Sequence, residues 1–290
     1  MKLGMIDAEA GLRVVALNPD GQYVDLLALD AQIAPTLIGI LADPEGLARV
    51  ASALVTGWSK GPFIEGRLVA PFSRPGKIIC IGLNYRDHAK ETGAEIPTEP
   101  VVFSKFFNTI TSPEAPVVLP SVAHQVDFEA ELVAVIGKTA KNVSKSKAFE
   151  FIAGYTCGND VSARDWQKGR PGGQWLMGKT PDTFAPIGPW FVTADEIGDP
   201  HDLAISLKLN QVVMQQSRTN ELIFGIDELV AHLSQLVTLE PGDLIFTGTP
   251  SGVGVARKPP VFLKNGDVME VEIEGIGVLR NPVVADSHNR

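Results

Sequence analysis

From residue 78 to residue 273 the chain reads as short β-type segments cut apart by Gly, Pro and Asn, and this punctuation constrains the fold more than any other feature. The segments are Ile78 to Ile81, Val101 to Phe106, Val126 to Ile136, Ile187 to Thr193, Ile205 to Leu209, Leu244 to Thr247 and Val268 to Ile273. They predict a β-rich sheet or roll. Asn265-Gly266, set between Val261-Phe262-Leu263 and Val268-Met269-Glu270-Val271, predicts a hairpin, because both central positions of such a turn favour positive φ. Helices are fewer, so the class is α+β. Asp227 to Val237 places Leu229, Val230, Leu233, Leu236 and Val237 on one face and stops at Pro241-Gly242, which predicts a core helix. Asn84 to Thr92, closed by Gly93, has the length of a short helix but little apolar periodicity.

Before the punctuated stretch Ala70-Pro71-Phe72-Ser73-Arg74-Pro75-Gly76 the texture differs: Ala, Leu and Val dominate, turns such as Asn18-Pro19-Asp20-Gly21 are scattered, and few residues could do chemistry. Residues 1–70 are therefore read as a small accessory domain and residues 71–290 as the main catalytic domain. With 34 acidic against 25 basic residues the formal net charge is -9, which argues against a phosphate-backbone ligand and excludes nucleic acid from the expected partners. The sequence has no apolar run near the ~20 residues of a membrane span, and the start Met1-Lys2-Leu3-Gly4 lacks a signal-peptide hydrophobic region. A soluble, cytoplasmic protein without membrane partners is the expectation. Cys80 and Cys157 sit in apolar segments without metal-ligand spacing and are read as buried thiols of a reducing compartment.

The strongest chemical signal is Val126-Asp127-Phe128-Glu129-Ala130-Glu131-Leu132-Val133, where a strand period of two puts Asp127, Glu129 and Glu131 on one face. Carboxylates packed so closely repel, and a bound cation removes that repulsion. Taken alone, such a pattern is more often the solvated face of a half-buried strand. Asp160, in Gly158-Asn159-Asp160-Val161-Ser162-Ala163-Arg164-Asp165, would complete an all-oxygen site suited to Mg2+, Mn2+ or Ca2+. Its competing role is a helix N-cap, and Arg164 with Asp165 reads equally as a surface ion pair. On the short polar helix His88 and Glu91 stand three apart and can hydrogen-bond, an arrangement that fixes the imidazole tautomer and raises its basicity, although alone such a pair is usually surface decoration. Lys105 and Lys179, each in apolar surroundings, either snorkel or meet a substrate carboxylate or enolate oxygen. Leu244 to Gly254 is a strand running into a Gly-rich turn that can offer backbone N–H groups and the Thr249 hydroxyl to an anion, without the spacing of a dinucleotide fingerprint.

Taken in order, Gly82-Leu83-Asn84-Tyr85-Arg86-Asp87-His88 with Glu91, Asp127 to Leu132, Asn159 to Asp165, Gly178-Lys179-Thr180-Pro181-Asp182-Thr183-Phe184 and Thr247-Gly248-Thr249-Pro250-Ser251-Gly252-Val253-Gly254 resemble the fumarylacetoacetate hydrolase superfamily over roughly residues 75 to 284. Val101 to Phe106 and Arg257 to Lys264 look closest to its domain-containing protein 2 branch and bacterial relatives. The resemblance implies a mixed β-sandwich roll, a homodimer, and a Mg2+ or Mn2+ ion, with Ca2+ an in vitro substitute. It also implies roles: Glu129, Glu131 and Asp160 as metal ligands; His88 and Glu91 as a catalytic dyad on a lid; Lys179 as the lysine that holds the keto acid; Gly248 and Thr249 as the anion-binding turn; and Arg86, Lys105 and Gln167 as substrate neighbours. Asp127 is not required on the metal by the family pattern. The activity so implied is hydrolysis of a carbon–carbon bond in a small 2,4-diketo acid of the acylpyruvate or fumarylpyruvate type by a water that His88 and Glu91 activate. Oxaloacetate decarboxylation or tautomerisation, isomerisation of 2-hydroxyhepta-2,4-diene-1,7-dioate, and a non-catalytic metal-binding role are the alternatives.

Overall fold

The computed structural model describes residues 1–287. The chain is strand-rich, as its punctuation predicts, and one large mixed sheet organises it. Across that twelve-stranded sheet the main path runs Phe63–Ile64, Tyr23–Asp25, Gly11–Leu17, Lys2–Ala8, Ala185–Thr193, Ile152–Asn159, Ala130–Ile136, Leu244–Phe246, Ile78–Gly82 and Val101–Lys105, with Arg67–Val69 beside Lys2–Ala8 and Ile110–Thr111 beside Ala185–Thr193. Residues 1–70 join it through Lys2–Ala8, whose Leu3 pairs with Phe191.

The central strands Ala130–Ile136, Ile152–Asn159 and Ala185–Thr193 are buried at every residue, because both faces are covered. Alternation divides their side chains between two cores. Ala130, Leu132, Ala134 and Ile136 pack with residues of a second sheet and of helix Ile226–Leu236, while Val133 and Val135 pack with Leu37, Ile40, Val50 and Leu54 from the N-terminal helices. The second sheet has five strands in the order Val212–Arg218, Ala204–Leu209, Val268–Ile273, Gly277–Ala285 and Val117–Leu119.

Several local expectations change. The run from Val126 to Ile136 is two strands: Val126–Asp127 pairs with Ser162–Ala163, Ala130–Ile136 pairs with Ile152–Asn159, and Phe128 and Glu129 lie between. Helix Ile226–Leu236 buries Ile226, Leu229, Val230 and Leu233, but its last residue, Leu236, is 88% exposed. Val237 has already left the helix with an extended backbone, so the apolar face stops a turn early. Asn265-Gly266 does form a turn, with Gly266 at φ +92°, yet Val261 to Leu263 is no strand. Leu263 N instead donates to Val126 O, which draws the segment toward the break rather than into a hairpin with Val268–Ile273.

Candidate active site

The strand break builds the site. Where the ladder is interrupted, backbone N–H groups need other acceptors, and side chains supply them: Glu129 N donates to Asn159 Oδ1 and Ala130 N to Gln215 Oε1, each at 2.9 Å. The kink brings Glu129 and Glu131 together with Asp160, which follows strand Ile152–Asn159, and one carboxylate oxygen from each lies within 4.8 Å of the others. All three are buried. Asp127 is turned away: it accepts from Gly254 N at 2.7 Å and Val255 N at 3.0 Å and pairs with Arg164. Its predicted place on the same face fails because the period of two does not survive the break.

Three buried cations face these four carboxylates. Arg164 Nη2 lies 2.8 Å from Asp127 Oδ2 and 2.7 Å from Glu129 Oε1. Lys179 Nζ bridges Glu129 Oε2 at 2.8 Å and Asp160 Oδ2 at 2.7 Å, and Lys105 Nζ takes Asp160 Oδ1 at 2.5 Å. Asp160 is thus no helix cap. Arg164 and Asp165 are no surface pair, since Arg164 is buried and Asp165 Oδ2 accepts from His124 N. Helix Leu176–Lys179 can place its lysine because a Cβ on Gly178 would meet Gln167 N at 2.4 Å, so it approaches the short helix Arg164–Gln167 closely only with glycine there.

Glu131 differs from its neighbours. It accepts from Gly248 N at 2.7 Å and pairs with no Lys or Arg among the described residues. Burial, with Asp160 and Glu129 close by, pushes its carboxyl well above the usual range. Burial acts on Glu129 in the same direction, but Lys179 and Arg164 outweigh it and hold that carboxyl well below the usual range. Lys179 is raised because Asp160 and Glu129 overcome burial, whereas burial prevails at Lys105 and lowers it. Three convergent oxygen donors, one without a cationic partner, fit a hard divalent cation.

Glu129, Glu131 and Lys179 line a small cavity of about 90 Å³ together with His88, Arg164, Gln167, Thr249 and an apolar wall that includes Leu83, Phe103 and Trp175. His88 Nδ1 lies 3.2 Å from Glu91 Oε2. Gln167 Oε1 accepts from Arg164 Nη1, and Thr249 Oγ1 accepts from Gln215 Nε2 at 2.8 Å. Two of the expected substrate neighbours are outside this lining: Lys105 is buried against Asp160, and Arg86 reaches the Leu222 carbonyl. Gly248 directs its N–H at Glu131. Sequence reasoning missed Gln215, whose strand Val212–Arg218 belongs to the other sheet and carries no chemical signature, and it underrated Arg164.

Fold and site together define a β-roll enzyme with a buried carboxylate centre. Residues 77–284 match the family model for the fumarylacetoacetate (FAA) hydrolase C-terminal region, and the chain belongs to that family. It is 48% identical over 265 residues to the oxaloacetate tautomerase FAHD2A of Bos taurus, described as mitochondrial, covering 91% of this chain and 84% of that one. This agrees with the expected branch; the relative's compartment differs from the cytoplasmic one read from the sequence. Among solved structures, a putative HpcE protein from Mycobacterium smegmatis is similar at TM-score 0.89 and 38% identity, covering 99% of this chain and 100% of that chain. A 2-hydroxyhepta-2,4-diene-1,7-dioate isomerase from Mycobacterium marinum is similar at TM-score 0.73 and 36% identity, with 99% of each chain covered. No helix among the described residues is long and apolar enough to cross a membrane.

Proposed function

We propose that the chain is a divalent-metal-dependent enzyme that interconverts the enol and keto forms of a small 2-keto dicarboxylate, oxaloacetate being the favoured substrate. The observation that carries this reading is that His88, oriented by Glu91, lines the same small cavity as Glu129, Glu131 and Lys179. The name of the Bos taurus relative favours this substrate over the diketo acids expected first.

A divalent cation held by Glu129, Glu131 and Asp160 would, when bound, polarise the keto oxygen and stabilise negative charge on it. The residues of the chain do the rest. With Nδ1–H donated to Glu91, the Nε2 lone pair of His88 is left to take a proton from C3 of the keto form and to return one in the reverse direction. The proton gained at the oxygen on C2 balances the one lost at C3. Thr249 and Gln167, which line the cavity, would offer polar groups to the substrate carboxylates, and the Lys179 ammonium beside them would support a developing oxyanion. With all four buried carboxylates ionised, as a bound divalent ion would keep them, they and the three buried cations sum to one net negative charge, which the ion would turn into one net positive charge that favours an anionic ligand.

The test is to add enol-oxaloacetate to pure protein with Mg2+ and follow the enol absorbance. Wild type should hasten its decay and His88→Ala should not, while acetylpyruvate and fumarylpyruvate stay intact. Cleavage of either diketo acid with no effect on oxaloacetate would overturn the tautomerase reading in favour of hydrolysis by a His88-activated water.

A further inference from the structure

Helix Arg86–Thr92 has only seven residues, buries only His88 and Ala89, and starts at Tyr85, which makes no side-chain capping bond. Isolated helices shorter than ~12 residues are marginal in water, so tethers outside the helix must hold the His88 ring at the cavity. Asp87 provides the largest set. Its Oδ2 accepts from Ser217 Oγ at 2.7 Å and Ser251 Oγ at 3.2 Å, and its Oδ1 accepts from His88 N at 2.7 Å and Ser251 N at 3.4 Å. One residue on, Gly252 N donates to Glu91 Oε1 at 2.9 Å.

Ser217 belongs to strand Val212–Arg218 of the five-stranded sheet, whereas Ser251 lies in the turn after Leu244–Phe246 of the twelve-stranded sheet, so one carboxylate joins the helix to both. The turn itself is fixed in place: Gly252 stands at φ +102°, and a Cβ there would meet the Met214 carbonyl oxygen at 2.1 Å. Asp87 forms no ion pair among the described residues and does not line the cavity. Charge compensation and substrate contact are therefore not its roles. We propose that Asp87 is a positioning residue whose latch to Ser217 and Ser251 fixes His88 relative to the carboxylate centre. The geometry makes the coupling short, because the turn that receives the latch also carries Thr249 and the Gly248 N–H that holds Glu131. This inference rests on the reading of His88 as the acid–base group.

The test compares wild type with Asp87→Asn, Asp87→Ala and the double variant Ser217→Ala/Ser251→Ala. Three readouts are taken: hydrogen exchange of amides 86–92, Mg2+ affinity by calorimetry, and kcat with enol-oxaloacetate. Losing charge-assisted bonds to the latch should speed exchange of those amides and lower kcat, each on the order of 10-fold, with Mg2+ affinity unchanged. The serine pair should reproduce the effect, and adding Asp87→Ala to it should cost little more, as expected of partners in one interaction. Wild-type exchange in Asp87→Asn and in the serine pair would overturn the proposal, as would a loss of Mg2+ affinity matching the loss of kcat. If wild type leaves oxaloacetate untouched, the functional reading falls, and the exchange rates alone decide the latch. The serine pair keeps the test open should the Asp87 variants fail to fold.

Discussion

Glu129, Glu131 and Asp160 are carried by or directly flank strands buried on both faces, whereas His88 and Glu91 ride on a seven-residue helix with two buried side chains. Glu129, Glu131 and His88 meet at one cavity, with Asp160 clustered beside the two glutamates and Glu91 behind His88. The first group is held by charge inside the protein: Glu129 and Asp160 stay stable as ions only while Arg164, Lys179 and Lys105 remain, because a lone buried charge costs several kcal/mol, and Glu131 has no such partner among the described residues. The second is held at the edge by hydrogen bonds of Asp87, Glu91 and Arg86 to loops and strands around it. Such bonds contribute modestly in part-exposed settings. The carboxylate centre should therefore govern global stability, and the helix should govern turnover with little effect on folding.

Arg164→Leu is the strongest way to break this contrast. It strips the cation from buried Asp127 and from one oxygen of Glu129, and denaturant unfolding should show a loss of about 3–5 kcal/mol. A loss below about 1 kcal/mol would place the stabilising role elsewhere. Within the centre, Glu131→Gln should act in the opposite direction on the metal-free protein. Its raised carboxyl means that the folded state holds a proton which the unfolded chain has released. Stability of the metal-free protein then falls as pH rises from the ordinary carboxylate range through the raised value, and is undiminished below that range. The variant should flatten that fall and lose the Mg2+-induced rise in thermal midpoint, which for wild type corresponds to about 2.7 kcal/mol at a Mg2+ concentration 100 times its Kd. Thermal scans across pH with and without Mg2+ read both effects, and a variant that still responds to Mg2+ would remove Glu131 from the ligand set.

The contrast also explains what could be read from the sequence. Glu129, Glu131 and Asp160 were legible as a group only through the ordered set of motifs that resembles the family, since alone the acidic pattern reads as a solvated face, and the β-rich class was legible because each short segment carries its own turn residues. The break at Phe128 and Glu129 was not legible, since Val126 to Leu132 keeps an unbroken alternation and the interrupted ladder is met by Asn159 and Gln215 reaching in from other strands. Arg164 looked like a surface residue because its neighbour Asp165 offered a local partner, while its real partners lie far back along the chain. Asp87 was hidden for a related reason: on a polar helix one more acid carries no signal until Ser217 and Ser251 are placed beside it.

Glu91→Gln should show the smallest effect on stability and sharpens the comparison most. Glu91 uses one oxygen for Gly252 N and the other for His88 Nδ1, and its side chain is 22% exposed. The amide keeps an acceptor for one of these donors, so unfolding free energy should change by less than about 1 kcal/mol. What it loses is the charge that favours a proton on Nδ1 and stabilises the imidazolium formed when Nε2 takes a second one. Turnover of enol-oxaloacetate should therefore fall by roughly 10- to 100-fold at unchanged Mg2+ affinity. A stability loss comparable to that of Arg164→Leu would mean that the helix, too, is held by buried charge, and the division between a charged floor and a tethered edge would have to be abandoned.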